Sequence, residues 1–367
     1  MNRTDSMGNP AHFQPFMQPA LYRILDANLD RAREGLRVIE EWCRFGLENV
    51  ALTEQCKHWR QELAQWHQSE LRTSRNTPDD PGTDLTHPQE AVRSSVEQVL
   101  QANFARIEEA LRVLEEYGKV YRSEMASAIK QMRYQVYTLE SQLLSIHRRQ
   151  LLQSSRLYLV TAPTDNLFST VEAALQGGLT LVQYRDKEAD DSVRFRTAEK
   201  LCQLCREYQA LFIVNDRVDL ALAVDADGVH LGQEDMPFEW ARKLLGQHKI
   251  IGRSTHSPEE LSRAIAEGAD YVGVGPVYET PTKAGRPAAG LEYVHHAAKQ
   301  CPIPWYAIGG IDTQNIHEVL AAGAERVSVV RAIMQSDQPT FATQFFVAQL
   351  DQKRRFQAHS APDPWEG

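Results

Sequence analysis

The spacing of apolar residues divides the chain in two. Up to about residue 150 they recur at helical intervals. Leu25, Leu29, Ala32, Leu36, Ile39 and Cys43 follow one another by four and three, which lines them along one face of an α-helix. From 156 onward the rhythm changes to short β-rich runs: RLYLVT (156–161), TLVQYR (180–185), LFIVND (211–216), DGVHLG (227–232), KIIGRS (249–254), DYVGVGP (270–276), IPWYAIGG (303–310) and RVSVVRAI (326–333). Between them lie helical stretches such as FSTVEAALQGG and SPEELSRAIAEGA. Strands alternating with helices predict a parallel sheet, and eight units in this span fit a closed (β/α)8 TIM barrel. An open doubly wound sheet is the competing arrangement.

The helical half repeats itself. Leu100, Phe104, Ile107, Leu111 and Leu114 return 75 positions after Leu25, Leu29, Ala32, Leu36 and Ile39. Polar positions return too: Ala27-Asn28 as Ala102-Asn103, Arg31 as Arg106, Arg37 as Arg112, and Glu40-Glu41 as Glu115-Glu116. Each copy runs on into a further helix, around 53–72 and 123–149, and the join RNTPDDPGTDLTHP is dense in loop-forming residues. The expectation is a duplicated helical hairpin packed as a four-helix bundle, its repeated charges forming solvated or ion-paired faces. The predicted organisation is a tail over 1–20, an all-α domain over 21–150, the barrel over 151–350 and a polar tail over 351–367.

Composition narrows the field of ligands. The 367 residues carry a formal net charge of −9, which weighs against the basic face that nucleic acid requires. No apolar run approaches a membrane span, and the N-terminus lacks the apolar core of a signal peptide. Five cysteines, an odd number scattered through helix-like and strand-like segments, fit a reducing cytoplasm. Cys202 and Cys205 form a lone CxxC that reads as helix packing, since no second ligand pair is nearby. Small phosphorylated metabolites, met by a few placed cations and backbone amides, are the expected partners. Assembly of identical chains is left open.

A (β/α)8 barrel keeps its chemistry at the C-terminal ends of its strands. Strand two ends in Gln183-Tyr184-Arg185-Asp186-Lys187, where alternation puts Gln183, Arg185 and Lys187 on one face and Tyr184 and Asp186 on the other. Two cations and an amide converging there suit a multiply charged phosphate. Strand three ends in Asn215-Asp216 and strand four runs on to Asp235, which offers two hard oxygen ligands to Mg²⁺ or, alternatively, two helix caps. His230 reads as a hydrogen-bonded core histidine, and His256 is treated with the same caution. The stretch from Tyr278 to Gly290, with Thr280, Thr282 and Lys283, reads as a ligand-contacting loop. Glycines after strand seven and the end of strand eight suit a phosphate cradle.

Together these strand ends resemble thiamine-phosphate synthase. The likeness spans 156–335 and rests on QYRDK, NDR, GVHLGQED, GRSTH, ETPTKAG and AIGGI in that family's order. The resemblance implies Mg²⁺-dependent joining of 4-amino-2-methyl-5-hydroxymethylpyrimidine diphosphate to 4-methyl-5-(2-phosphoethyl)thiazole or its carboxylated precursor. It further implies that Gln183, Tyr184, Arg185, Asp186, Lys187 and Asn215 contact the pyrimidine diphosphate. Asp216 and Asp235 would hold Mg²⁺, Ser254 and Lys283 would touch the diphosphate or the pyrimidine, and Thr280, Pro281, Thr282 and Gly310 would hold the thiazole phosphate. Arg185, Lys187, Ser254 and Lys283 are the implied catalytic group. One position departs from the pattern: Arg331 stands where many members place a small hydroxyl residue. The helical half resembles the extension of a long form of the enzyme. Two rivals remain at this stage, a related thiazole tautomerase and a non-catalytic precursor sensor; retained Arg185, Lys187, Asp216 and Asp235 argue against both.

Overall fold

A computed structural model of the chain describes residues 17–75, 93, 96–280 and 287–360. It divides into two compact units, 1–141 and 142–367. Among the described residues no helix is long and apolar enough to cross a membrane.

Among its described residues the first unit is built of helices and short connections. Helix α1 (Met17–Glu41) and helix α4 (Val96–Tyr121) carry the two copies of the repeat, and the apolar positions that define it are buried in both. A π-helical turn (Trp42–Gly46) follows α1 directly. The segment expected as one helix over 53–72 is α2 (Val50–Trp66) followed by the short α3 (Ser69–Thr73). Asn49 caps α2 by accepting a hydrogen bond from the Leu52 amide at 3.0 Å. The second hairpin closes with α5 (Ser123–Ser154).

The repeated glutamates are ion-paired in both copies. Buried Glu40 accepts from Arg60 at 2.6 Å, and its counterpart Glu115 accepts from Arg133 at 2.9 Å. Arg37 and Arg112 reach the same pairs of glutamates along their own helices. The copies differ elsewhere. Near the start of α1, Asp26 accepts from Arg75 at 2.7 Å and lies 2.5 Å from Nε2 of buried His67. In the second copy Glu108 and Glu140 share a hydrogen bond, and burial together with the Glu140 charge pushes Glu108 up to about 7.

The second unit is a closed barrel of eight parallel strands in chain order. They are β1 (Leu157–Val160), β2 (Leu181–Tyr184), β3 (Leu211–Asn215), β4 (Gly228–Leu231), β5 (Ile250–Thr255), β6 (Tyr271–Val274), β7 (Trp305–Ile308) and β8 (Val327–Val329). Around them run α6 (Leu167–Gln176), α7 (Asp191–Glu207), α8 (Val218–Ala223), α9 (Phe238–Leu245), α10 (Pro258–Glu267), α11 (Gly290–Gln300), α12 (Ile316–Ala321), α13 (Arg331–Met334) and α14 (Pro339–Ser360). The open-sheet alternative is excluded by the pairing of β1 with β8, Leu159 beside Val329.

Strand alternation sorts the two layers of the barrel core. Leu159, Val182, Phe212, Val229, Ile251 and Val272 face outward into the helices. Tyr158, Leu181, Ile213, Ile250, Tyr271 and Tyr306 fill the interior. Gly252 makes that filling fit, since a Cβ there would stand 2.1 Å from Cζ of Tyr271. The other end of the interior is closed by the last turn of α5: the Tyr306 hydroxyl donates to the Ser155 carbonyl at 2.8 Å.

Four expected boundaries shift. Residues 142–150 belong with the barrel, because Arg148 on α5 pairs with Asp227 at 2.8 Å. The strand predicted over 326–333 ends at Val329, and Arg331 opens α13. Residues 351–360, expected as a tail, continue α14, and at the other end α1 starts at Met17 within the expected 1–20 tail.

Candidate active site

The inward side chains that continue past the strand ends surround one cavity of about 790 Å³. Its deep wall is Tyr158, Gln183, His230 and Tyr306, and its rim is built from the loops after the strands. Parity divides the QYRDK run: Gln183, Arg185 and Lys187 line the cavity. Tyr184 and Asp186 do not; Tyr184 packs in the outer core, while Asp186 accepts from the amides of Glu188 and Ala189 at 3.0 Å each. Their side chains leave the strand on its outer face, as alternation requires.

Asn215, Asp216 and Asp235 line the same wall. Asp216 takes a left-handed backbone, φ 61°, at the end of β3. It accepts from Lys187 Nζ at 2.8 Å and shares a hydrogen bond with Asp235. Burial works against the Asp216 anion, but the bonds from Asp235 and Lys187 outweigh it and hold this carboxyl below the ordinary range. Burial and the hydrogen bond and charge of Asp216 raise Asp235. Neither aspartate occupies a helix N-cap, a place taken by Arg217 for α8 and Pro237 for α9. Asp235 accepts instead from the Gly232 amide at 2.6 Å.

Ser254 lies on the inner face of β5 and bonds Nε2 of His230 at 2.9 Å. Nδ1 of His230 meets the Tyr271 hydroxyl at 3.0 Å, so this histidine is a hydrogen-bonded core residue, as its strand position suggested. His256 lines the rim and is tied to Glu260 at 2.8 Å. Gly309 and Gly310 run with positive φ of 107° and 69°. The Gly310 carbonyl is held by Asn315 at 2.8 Å, and Thr280 lines the opposite rim. Pro281, Thr282 and Lys283 lie outside the described residues. Arg331 lines the cavity from the first turn of α13. The CxxC cysteines are both buried and free on α7.

Comparison with known proteins decides the lineage. The sequence profile described as thiamine monophosphate synthase matches residues 157–333, and a second, the ThiD2 family, matches residues 23–142. A thiamine-phosphate synthase of Nostoc punctiforme is 67% identical over 335 residues, covering 91% of this chain and 95% of that protein. The chain belongs to the thiamine-phosphate synthase family.

A second family member, from Synechocystis, is 64% identical over 90% of this chain and 96% of its own length. Among solved structures, the thiamine phosphate pyrophosphorylase of Pyrococcus furiosus superposes with a TM-score of 0.51 at 39% identity, over 56% of this chain and 98% of that one. The chain is thus a thiamine-phosphate synthase, an enzyme that transfers alkyl groups other than methyl. Two features of this synthase escape a reading by motif: the buried pair of cavity-lining Tyr158 and, behind it, Tyr271, bonded hydroxyl to hydroxyl at 2.7 Å, and the placement of Arg331 on the cavity. The tyrosines look like ordinary strand core in the sequence. Their one accessible signal was parity with Gln183 and Ser254 on neighbouring inward faces.

Proposed function

We propose that this cavity condenses 4-amino-2-methyl-5-hydroxymethylpyrimidine diphosphate with 4-methyl-5-(2-phosphoethyl)thiazole, giving thiamine phosphate and diphosphate, or with its 2-carboxy precursor, giving CO2 as well. One observation carries the reading. The side chains of Arg185 and Arg331 both line the cavity without a hydrogen bond or ion pair among the described residues. Arg194, Arg206, Arg217 and Arg242, elsewhere on the barrel, are tied to carboxylates. Guanidinium groups left uncommitted in an acidic chain suit two anionic substrates.

Asp216 and Asp235 fit Mg²⁺. Two hard carboxylates side by side on the cavity wall are the oxygen donors a divalent ion takes. When bound, Mg²⁺ neutralises charge on a departing diphosphate. The protein's own groups do the remaining work. Arg185 and Lys187 hold the diphosphate from the wall on which Asp216 and Asp235 would hold the ion. Lys283, from the loop outside the described residues, joins them. The C–O bond breaks with its electron pair on diphosphate, leaving a pyrimidinylmethyl cation stabilised by its amino group. The thiazole nitrogen then donates its lone pair to form the new C–N bond. Positive-φ Gly309 and Gly310, Thr280 to Thr282, and Arg331 position the thiazole phosphate. This chemistry needs positioning and leaving-group stabilisation and no general base, which sets it apart from a tautomerase. We place the enzyme in the cytoplasm, where its buried free cysteines stay reduced.

The test is a two-substrate assay on the purified chain. Thiamine phosphate and diphosphate should form one to one with Mg²⁺ present, and chelation should stop both. Tight binding of either precursor without product would overturn the reaction in favour of a sensor.

A further inference from the structure

Five polar side chains form one hydrogen-bonded chain through the barrel interior to the cavity. Gln183 Nε2 donates to the Tyr158 hydroxyl at 2.5 Å, and Tyr158 meets the Tyr271 hydroxyl at 2.7 Å. Tyr271 meets His230 Nδ1 at 3.0 Å, and His230 Nε2 meets Ser254 Oγ at 2.9 Å. Tyr158 and Tyr271 are buried completely, and burial raises both phenols far above their usual range, so each keeps its single proton.

The donor at one end fixes the direction of every other bond. An amide NH₂ can only give, so Tyr158 accepts there and gives its proton to Tyr271. Tyr271, having accepted, gives to His230 Nδ1. A neutral imidazole with a bare Nδ1 carries its proton on Nε2 and gives it to Ser254 Oγ. The reverse direction would leave the buried Tyr158 proton facing a donor. Ser254 therefore accepts from inside and keeps its own O–H for the cavity, where among the described residues it has no other partner.

We propose that Tyr271 and His230 are positioning residues that fix the Ser254 hydroxyl as a hydrogen-bond donor to a neutral acceptor, a ring nitrogen of the heteroaromatic substrate. The relay carries no net charge, whereas the anionic parts of the ligands have Arg185, Lys187 and Arg331 beside the same cavity. A neutral donor at the deep wall thus reads the ring and not the phosphate. The inference rests on the reaction proposed above for the identity of the ring.

Two measurements test it, and the first needs no substrate. In ¹⁵N-labelled wild-type protein the His230 imidazole, assigned by its loss in His230→Gln, should show a protonated Nε2 and a bare Nδ1. The Nδ1–H tautomer would overturn the relay. The second is a double-mutant cycle on kcat/KM for the pyrimidine diphosphate. Tyr271→Phe keeps the ring against Gly252 and removes one link, with an expected fall of about five- to tenfold. In a Ser254→Ala background the same change should cost almost nothing further. An equal fall in both backgrounds would show that Tyr271 acts on stability alone and would overturn the proposal. Absence of turnover in the wild-type chain would overturn the reaction and not the tautomer.

Discussion

Arg331 occupies the place where a small hydroxyl residue was expected, and its guanidinium lines the cavity without a partner among the described residues. A cation there adds Coulomb attraction to the backbone amides that follow strands seven and eight. Arg331→Ala should raise KM for the thiazole phosphate about tenfold while leaving kcat within about twofold, because the contact is made equally in the ground and transition states. Steady-state kinetics at saturating pyrimidine diphosphate decides this, and an unchanged KM would remove Arg331 from the site. Single residues were legible where strand parity applies: Gln183, Arg185 and Lys187 reach the cavity together. Tyr184 and Asp186 came with them only by adjacency in a motif, and parity turns them away. The Tyr158–Tyr271 link was illegible because buried tyrosines in strands usually serve packing, and sequence spacing does not show which hydroxyls meet.

Among the elements, α1 and α4 show how far periodicity carries. Their repeated apolar stripes are buried, and their repeated glutamates are paired on equivalent helices. What the repeat does not disclose is where the copies diverge. Glu108 is pushed up to about 7, first by burial and then by Glu140, against an ordinary value of 4.5. The folded unit therefore holds this proton more tightly than the unfolded chain does. The stabilisation is complete below pH 4.5 and is lost as pH rises from there to about 7. Glu108→Gln should flatten that stretch of the stability profile and raise the unfolding temperature at pH 8 by about 2–4 °C. Thermal melts across this pH range read it, and an unaltered slope would contradict it. Strand eight was misjudged for a local reason. VSVVRAI is apolar but for Ser328 and Arg331, and such runs do not separate a strand from a strand followed by a helical turn.

At the scale of the whole molecule, the boundary falls inside a helix. Residues 142–155, the end of α5 and the residue after it, serve the barrel through Arg148 to Asp227 at 2.8 Å and through the carbonyls of Leu152 and Ser155, both bonded to Tyr306. Periodicity shows a helix there, but it cannot show which neighbour the helix serves. A barrel beginning at Gln142 should melt several degrees above one beginning at Leu151, since a partly buried ion pair is lost in the shorter form. Equal melting temperatures would return the boundary to 150. The eight-strand barrel itself was legible throughout, because each βα unit repeats the same alternation. The central claim is that the cavity ejects diphosphate with a metal held by Asp216 and Asp235. It is tested most directly by Asp216→Asn, which removes the charge yet tolerates the left-handed backbone at φ 61°. Turnover of this variant in the full chain should fall at least about 100-fold at saturating Mg²⁺ with an unchanged melting temperature; turnover near that of the unaltered chain would contradict the account.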